Sequence, residues 1–141
     1  MLDLFCGTGT LAICFGALFK SVIGVENNPY AVLDARENAS RHCLDHIAFE
    51  QNDVALFLKE YEKDVDVVVI DPPRCGLSRD SVEAIATKKP HRIIYISCNV
   101  YSQKDNIVDF VSHGYRIKQR RLVDQFCHSY HMEHVVIMEL V

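Results

Sequence analysis

Apolar residues in this chain come in short dense runs, separated by longer stretches where they recur at helical spacing. Leu2 to Phe5 is the first run, closed by the glycine turn CGTGT, and Leu11 to Phe19 carries apolar residues densely enough for a buried helix. Val22 to Val25 is a second, β-branched run ending in Glu26. Pro29 then falls where a helix takes proline in its first turn, which predicts a helix over Tyr30 to about His42. Ile47 to Glu50 reads as a weak strand, Val54 to Tyr61 as a short helix, and Val65 to Ile70 (VDVVVI) as the clearest buried parallel strand. Ser78 is a good N-cap with Asp80 and Glu83 in the opening turns, so Asp80 to about Thr87 is expected to be helical. Ile93 to Ser97 is the fifth strand. An amphipathic helix follows over Gln103 to about Ser112, stopped by His113-Gly114. Two further β-like runs, about Tyr115 to Leu122 and His134 to Leu140, close the chain.

Strands alternating with helices imply an α/β fold with a mostly parallel sheet and right-handed crossovers, helices on both faces. The last two runs, with no helix between them, are expected to form an antiparallel pair. At 141 residues there is room for one domain, and neither an internal repeat nor a linker is visible. The first strand begins at once, where such folds normally carry a helix ahead of it, so the expectation is a single domain, 1–141, belonging to something longer.

Composition narrows the class only slightly. Apolar residues make up 49% and charged ones 24%, with 6 Gly and 4 Pro, ordinary proportions that argue against disorder. The net charge of −4 gives no overall positive field, although a local basic stripe could still meet a nucleic-acid backbone. The 6 cysteines contain no CxxC pair, and no secretory leader or long apolar span is visible, which fits reduced thiols in a cytoplasmic enzyme away from membranes.

In an open α/β sheet, ligands sit beyond the C-terminal ends of the strands, so the residues just after each strand matter most. After the first comes Gly7-Thr8-Gly9-Thr10, a turn that brings bare backbone close to a cofactor. After the second, Glu26 could accept hydrogen bonds from both hydroxyls of a ribose. Asn52-Asp53 after the third could hold an adenine edge, and Asp71-Pro72-Pro73 after the fourth presents a carboxylate and rigid carbonyls. Gly7-x-Gly9-x-x-Ala12 also matches a nicotinamide dinucleotide fingerprint, but DPP after the fourth strand and a cysteine after the fifth have no evident role in hydride transfer.

That cysteine is Cys98, in YISCN, at the mouth of the cofactor cleft, where a thiol beside a cation or a helix N-terminus can act as a nucleophile. Cys6, Cys14 and Cys43 read instead as small core residues. Between the last two strands lies DQFCHSYHMEHV. Its Cys127, His128, His131 and His134 invite a zinc reading, but the segment abuts a strand and no CxxC supplies further ligands, so no metal is expected. Glu133, near the sheet's C-terminal edge, is the candidate general base. Two basic stretches, Lys88 to Arg92 and Arg116 to Arg121, are either solvated positions or phosphate contacts.

With LDLFCGTGT, VIGVEN, IDPPRCGL, YISCN and DQFCHSYHME in this order, the chain resembles the RNA uracil-5 methyltransferase family from residue 2 to its end. The combination of DPPR, SCN and a later HxE is the specific part. The resemblance implies a Rossmann-like class I methyltransferase fold, S-adenosylmethionine as cofactor and a uridine in ribosomal or transfer RNA as substrate. It implies cofactor contacts at Phe5, Thr10, Glu26, Asp53 and Asp71, a nucleophile at Cys98 and a base at Glu133. Family members also carry an N-terminal RNA-binding domain and a central region, neither of which is expected in this chain. Val100, Cys75 and Phe126-Cys127 stand where the family usually has proline, alanine or serine, and Phe-Pro.

Two rivals remain. An RNA cytosine-5 methyltransferase uses the same thiolate addition, but the pattern that resembles those enzymes has cysteine directly after the proline pair, where this chain has Arg74. A non-catalytic module that holds cofactor or RNA would not require both Cys98 and Glu133. DQF and HME lean toward the transfer-RNA type.

Overall fold

A computed structural model of the chain describes residues 1–125, 127–129 and 132–141. In order along the chain the elements are β1 (Leu2–Leu4), α1 (Thr10–Gly16), β2 (Val22–Glu26), α2 (Pro29–Arg41), β3 (Ile47–Gln51) and α3 (Val54–Glu60). They continue with β4 (Val67–Ile70), α4 (Arg79–Thr87), β5 (Arg92–Ser97), α5 (Val100–Ser112), β6 (Tyr115–Val123) and β7 (Glu133–Leu140). The strands form one sheet in the order β3-β2-β1-β4-β5-β7-β6. Pairings from β3 through β5 are parallel. β7 slots between β5 and β6 and runs antiparallel to both, as the missing crossover helix requires.

The order reverses between β1 and β4, because the chain builds outward through β2 and β3 on one side and through β4 and β5 on the other. The crevice beyond the ends of β1 and β4 is therefore the topological switch point at which such sheets bind ligands.

Two cores clamp the sheet. One joins Ile70, Val82, Ile85, Ile93, Tyr95, Phe110, Val136 and Met138 under the helices that follow the strands from β3 onward. The other, around Ala12, Val22, Val32, Ala35 and Phe49, lies under α1 and α2. Within the first, Tyr95 donates to Asn106 Oδ1 at 2.8 Å, and Asn106 in turn exchanges hydrogen bonds with Leu77 N and O at 2.9 and 3.1 Å. That buried chain of bonds ties the loop after β4 to α5 and β5.

Local chemistry explains where elements start and stop. Asn28 caps α2 by accepting from Tyr30 N and Ala31 N, with Pro29 at the first position. Helix α5 begins at Val100, three residues earlier than the amphipathic pattern from Gln103 predicts, because Asn99 caps it through Tyr101 N at 3.1 Å. Helix α1 ends at Gly16 rather than Phe19. A Cβ at Gly16 would lie 2.5 Å from the Ile47 side chain, so the glycine lets α1 approach β3. β4 starts at Val67, two residues later than the VDVVVI run suggests.

Candidate active site

The turn after β1 is wound tightly. Phe5, Gly7 and Gly9 all have positive φ, at 62°, 51° and 82°. A Cβ on Gly9 would fall 2.6 Å from the Phe49 ring, whereas a Cβ on Gly7 would meet nothing within 4 Å. Gly9 is thus required by packing, and Gly7 borders open space on the cleft side. Phe5 is a non-glycine residue held in the left-handed region, the kind of backbone strain that collects at ligand sites.

Glu26, at the end of β2, is held by that turn: its Oε2 accepts from Gly7 N at 3.1 Å and its Oε1 from Asn28 N at 2.8 Å. Each oxygen of a carboxylate has a second acceptor site, so the group is fixed in orientation with capacity left for two hydroxyls. Thr10 opens α1 and is exposed. Asp53 caps α3, accepting from Ala55 N and Leu56 N at 2.9 and 3.0 Å through Oδ1 alone. The capping role and a contact through its other oxygen are compatible.

Asp3 escaped the sequence reading. It sits in the middle of β1, fully buried, with Oδ2 accepting from Ala12 N at 2.9 Å and Oδ1 without a partner among the described residues. Burial pushes its pKa up to about 7, the Ala12 N–H opposes that, and nearby Asp71 adds to it. The available signal was a carboxylate flanked by Leu2 and Leu4 in a strand otherwise dedicated to the core. The Asp3 carboxyl is closed off from solvent and ties β1 to the start of α1, while the acceptors with spare capacity beside the glycine turn are those of Glu26, which suit a cofactor carrying a ribose.

On the other side of the switch point, Asp71 leaves β4 with its pKa held above the ordinary carboxylate range by the protein around it. The following loop is pinned to the SCN segment: Asn99 Nδ2 and Ser102 Oγ both donate to Arg74 O, at 2.9 and 3.0 Å. Ser97 Oγ accepts from Asn99 N at 3.0 Å, closing the turn that carries Cys98. Cys98 is half-buried and lines a cleft of about 310 Å³ with Arg74, Asn99, Val100, Tyr101, Leu122 and Met132. Of the three cysteines expected in the core only Cys6 is buried, and burial with Asp3 and Glu26 nearby pushes its thiol up to about 12, which keeps it protonated; Cys14 and Cys43 are exposed, on α1 and just past α2.

Glu133 opens β7. The β5–β7 ladder runs from Arg92↔Glu139 to Ser97↔His134, where it ends; Cys98 directly follows Ser97 and Glu133 directly precedes His134, so both adjoin the last pair. Glu133 Oε2 is buried without a partner among the described residues. Its pKa is raised, first by burial and then by Asp71. The site residues proposed from the sequence therefore fall into two groups flanking one crevice: Phe5, Gly7, Gly9, Thr10, Glu26 and Asp53 toward β1–β3, and Cys98 and Glu133 toward β5–β7, with Asp71 between.

Gln103, also unanticipated, holds the second group in place. Fully buried on α5, it donates through Nε2 to Tyr95 O at 3.0 Å and to His134 O at 3.1 Å. Its Oε1 lies 2.6 Å from His134 Nδ1 and can only accept, so the imidazole carries a proton on Nδ1. Burial, then the charge of Arg120, lowers the His134 pKa and favours that neutral tautomer. Among the described residues no cluster could hold a metal ion; of the zinc candidates, His131 lies outside them. No helix among the described residues is long and apolar enough to cross a membrane.

Comparison with known proteins gives the same direction. The family model described as tRNA (uracil-5-)-methyltransferase matches residues 1–141. An uncharacterized RNA methyltransferase of Caldanaerobacter subterraneus is 41% identical over 137 residues, 97% of this chain and 30% of that protein. A counterpart from Aquifex aeolicus is 34% identical, over 99% of this chain and 33% of its own length. This chain thus spans about a third of these curated relatives. The crystal structure of the Pyrococcus abyssi tRNA (uracil-54, C5)-methyltransferase in complex with S-adenosyl-L-homocysteine superposes with a TM-score of 0.79 at 31% identity, covering 97% of this chain and 33% of that one. A precorrin-6y methyltransferase from Geobacter metallireducens, 14% identical with a TM-score of 0.79, shares the class I methyltransferase fold. By its match along the whole length, the chain belongs to the tRNA (uracil-5-)-methyltransferase family.

Proposed function

We propose that residues 1–141 form a catalytic domain that methylates carbon 5 of a uridine in structured RNA, with Cys98 as nucleophile and Glu133 as base. S-adenosylmethionine, when bound, supplies an electrophilic methyl group. Glu26 is suited to its ribose, Asp53 to its adenine, and the turn from Phe5 through Gly7 and Gly9 to Thr10 to close backbone contact. Asp71, just past β4, is the carboxyl group available to its positive end.

Carbon 5 of uracil is too weak a nucleophile to take a methyl group unaided. In this reading the Cys98 thiolate adds to carbon 6, forming a C–S bond and pushing the ring's π electrons onto carbon 5 and the adjacent carbonyl oxygen. Carbon 5 would then bond to the methyl group as the bond from that methyl to the cofactor sulfur breaks, the electron pair of the broken bond staying on sulfur. The Glu133 carboxylate removes the remaining proton there, and the released electron pair rebuilds the ring double bond and expels the thiolate. A carboxylate with its pKa raised by burial is a better proton acceptor for this step. The thiolate cannot reach a stacked base, so the uridine must be flipped out.

What supports the reading is the Ser97↔His134 pair that ends the β5–β7 ladder, with Cys98 following the first residue and Glu133, its Oε2 without a partner among the described residues, preceding the second. Transfer RNA is the substrate class supported by the family description and by the Pyrococcus relative, and the cytoplasm is the compartment we assign. The test is incubation of the protein with unmodified transfer RNA, or with ribosomal RNA in parallel, and methyl-labelled S-adenosylmethionine, followed by nucleoside mass spectrometry. Labelled 5-methyluridine is expected; label in 5-methylcytidine, or in neither, rejects the assignment.

A further inference from the structure

The cleft that holds Cys98 has one wall whose chemistry the methylation step does not use. Tyr101, in the first turn of α5, is 80% exposed, and Leu122 of β6 is 60% exposed, yet both line the cleft. The Tyr101 main chain is fixed by Asn99 Oδ1, and the Asn99 amide is fixed in turn on Arg74 O. The ring therefore stands on an immobile base and projects out of the enclosed part of the cleft. An uncovered aromatic face beside the position of a flipped base is a stacking platform, because every nucleobase has a π-face to place on it.

Charge on the neighbouring strand points the same way. β6 is exposed along nearly all its length and carries Arg116, Lys118, Arg120 and Arg121 in a chain whose net charge is −4. A bulge lies between Ile117 and Gln119. Beyond it Arg120 pairs with Val136 and Leu122 with His134, so Arg120 and Leu122 share the sheet face on which α5 packs. Two residues along a strand span about 7 Å. Lys118 is paired with Glu139, while no ion pair is formed by Arg120 among the described residues. A guanidinium with no carboxylate partner among the described residues, near His134, thus stands one nucleotide-scale step beyond the apolar rim of the cleft.

We propose that Tyr101, Leu122 and Arg120 form a binding surface for the single-stranded nucleotide adjoining the target uridine, the Tyr101 ring stacking on its base and Arg120 meeting its phosphate. The target itself belongs deeper, against half-buried Cys98, which leaves the projecting ring to the neighbour. The inference rests on the proposed RNA methylation and adds where the strand beside the reacting base is held.

The test uses a single-stranded RNA hexamer with one uridine and a 2-aminopurine on its 3′ side, titrated into the protein in the presence of S-adenosylhomocysteine. Stacking is expected to quench the 2-aminopurine fluorescence. Tyr101→Phe should retain the quench with affinity within about twofold, and Tyr101→Leu should lose it and bind about tenfold or more weakly. Arg120→Gln should lower the slope of log affinity against log salt by about one. Unchanged S-adenosylhomocysteine binding by each variant serves as the check that the fold is intact. Failure of the wild-type protein to bind the hexamer, binding without quench, or wild-type behaviour of Tyr101→Leu overturns the surface. A Tyr101-dependent quench in a protein that forms no covalent adduct with 5-fluorouridine RNA keeps the surface and removes the catalytic reading; an adduct with an unaltered Tyr101→Leu does the reverse.

Discussion

Cys98 and Glu133 each adjoin the Ser97↔His134 pair that ends the β5–β7 ladder, Cys98 just after β5 and Glu133 at the start of β7. The two strands run in opposite directions, so residues that lie 35 apart in sequence arrive together at one edge without a dedicated loop to bring them there. Replacing Glu133 by Gln keeps the shape and removes the proposed base. The variant is expected to add Cys98 to the uridine and accept a methyl group, then stall. Turnover should fall by about 10²–10⁴, with RNA-bound protein accumulating on a denaturing gel.

The glycine turn separates folding from ligand binding. Gly9→Ala forces a Cβ against the Phe49 ring at φ 82°. It should cost about 1–3 kcal/mol of stability, read as a lower denaturant midpoint with an unchanged slope. Gly7→Ala meets no neighbour, so its stability loss should stay near 1 kcal/mol. Its larger effect should appear in calorimetry as weakened S-adenosylhomocysteine binding.

Asp3 sets a pH dependence whose sign follows from its environment. Its carboxyl has a pKa near 7 when folded against 3.8 ordinarily, so between those values the folded state holds a proton that the unfolded chain releases. Its contribution is present in full below about pH 4 and declines as pH rises toward 7, by up to about 4 kcal/mol. Asp3→Asn, which cannot ionise, should flatten that decline. Denaturant titrations of the two proteins across this range give the difference directly.

Gln103 tests whether the base is positioned through β7. Gln103→Leu strips partners from Tyr95 O, His134 O and His134 Nδ1 together. A loss of about 2–3 kcal/mol is expected, with kcat reduced more than the KM for RNA because Glu133 adjoins His134. A fall in stability with an unchanged kcat would make Gln103 purely structural.

The parts of this molecule that the sequence makes legible are those with a local cause. Strand ends are marked by Glu26, Asp71 and the SCN segment because parallel strands are uniformly apolar until they reach solvent. Asp3 and Gln103 are hidden for the opposite reason: each is a polar residue inside a packed element, bonded to groups 8 or more residues away that only the folded chain brings near. Helix α5 is misjudged at its start because its cap, Asn99, belongs to the turn that carries Cys98. Val100 and Tyr101 are exposed there, so the apolar periodicity begins only with the next turn. The arrival of Cys98 and Glu133 at the same end of the sheet needed the insertion of β7 between β5 and β6, an order that no local pattern specifies.

The central claim, a covalent bond from Cys98 to the target base, is tested most directly with transfer RNA containing 5-fluorouridine, whose carbon 5 has no proton to lose. After incubation with S-adenosylmethionine and ribonuclease digestion, peptide mass spectrometry should find a methylated fluorouridine adduct on Cys98, absent from Cys98→Ser. An adduct on another residue, or none from a folded protein that methylates unsubstituted RNA, would contradict the account.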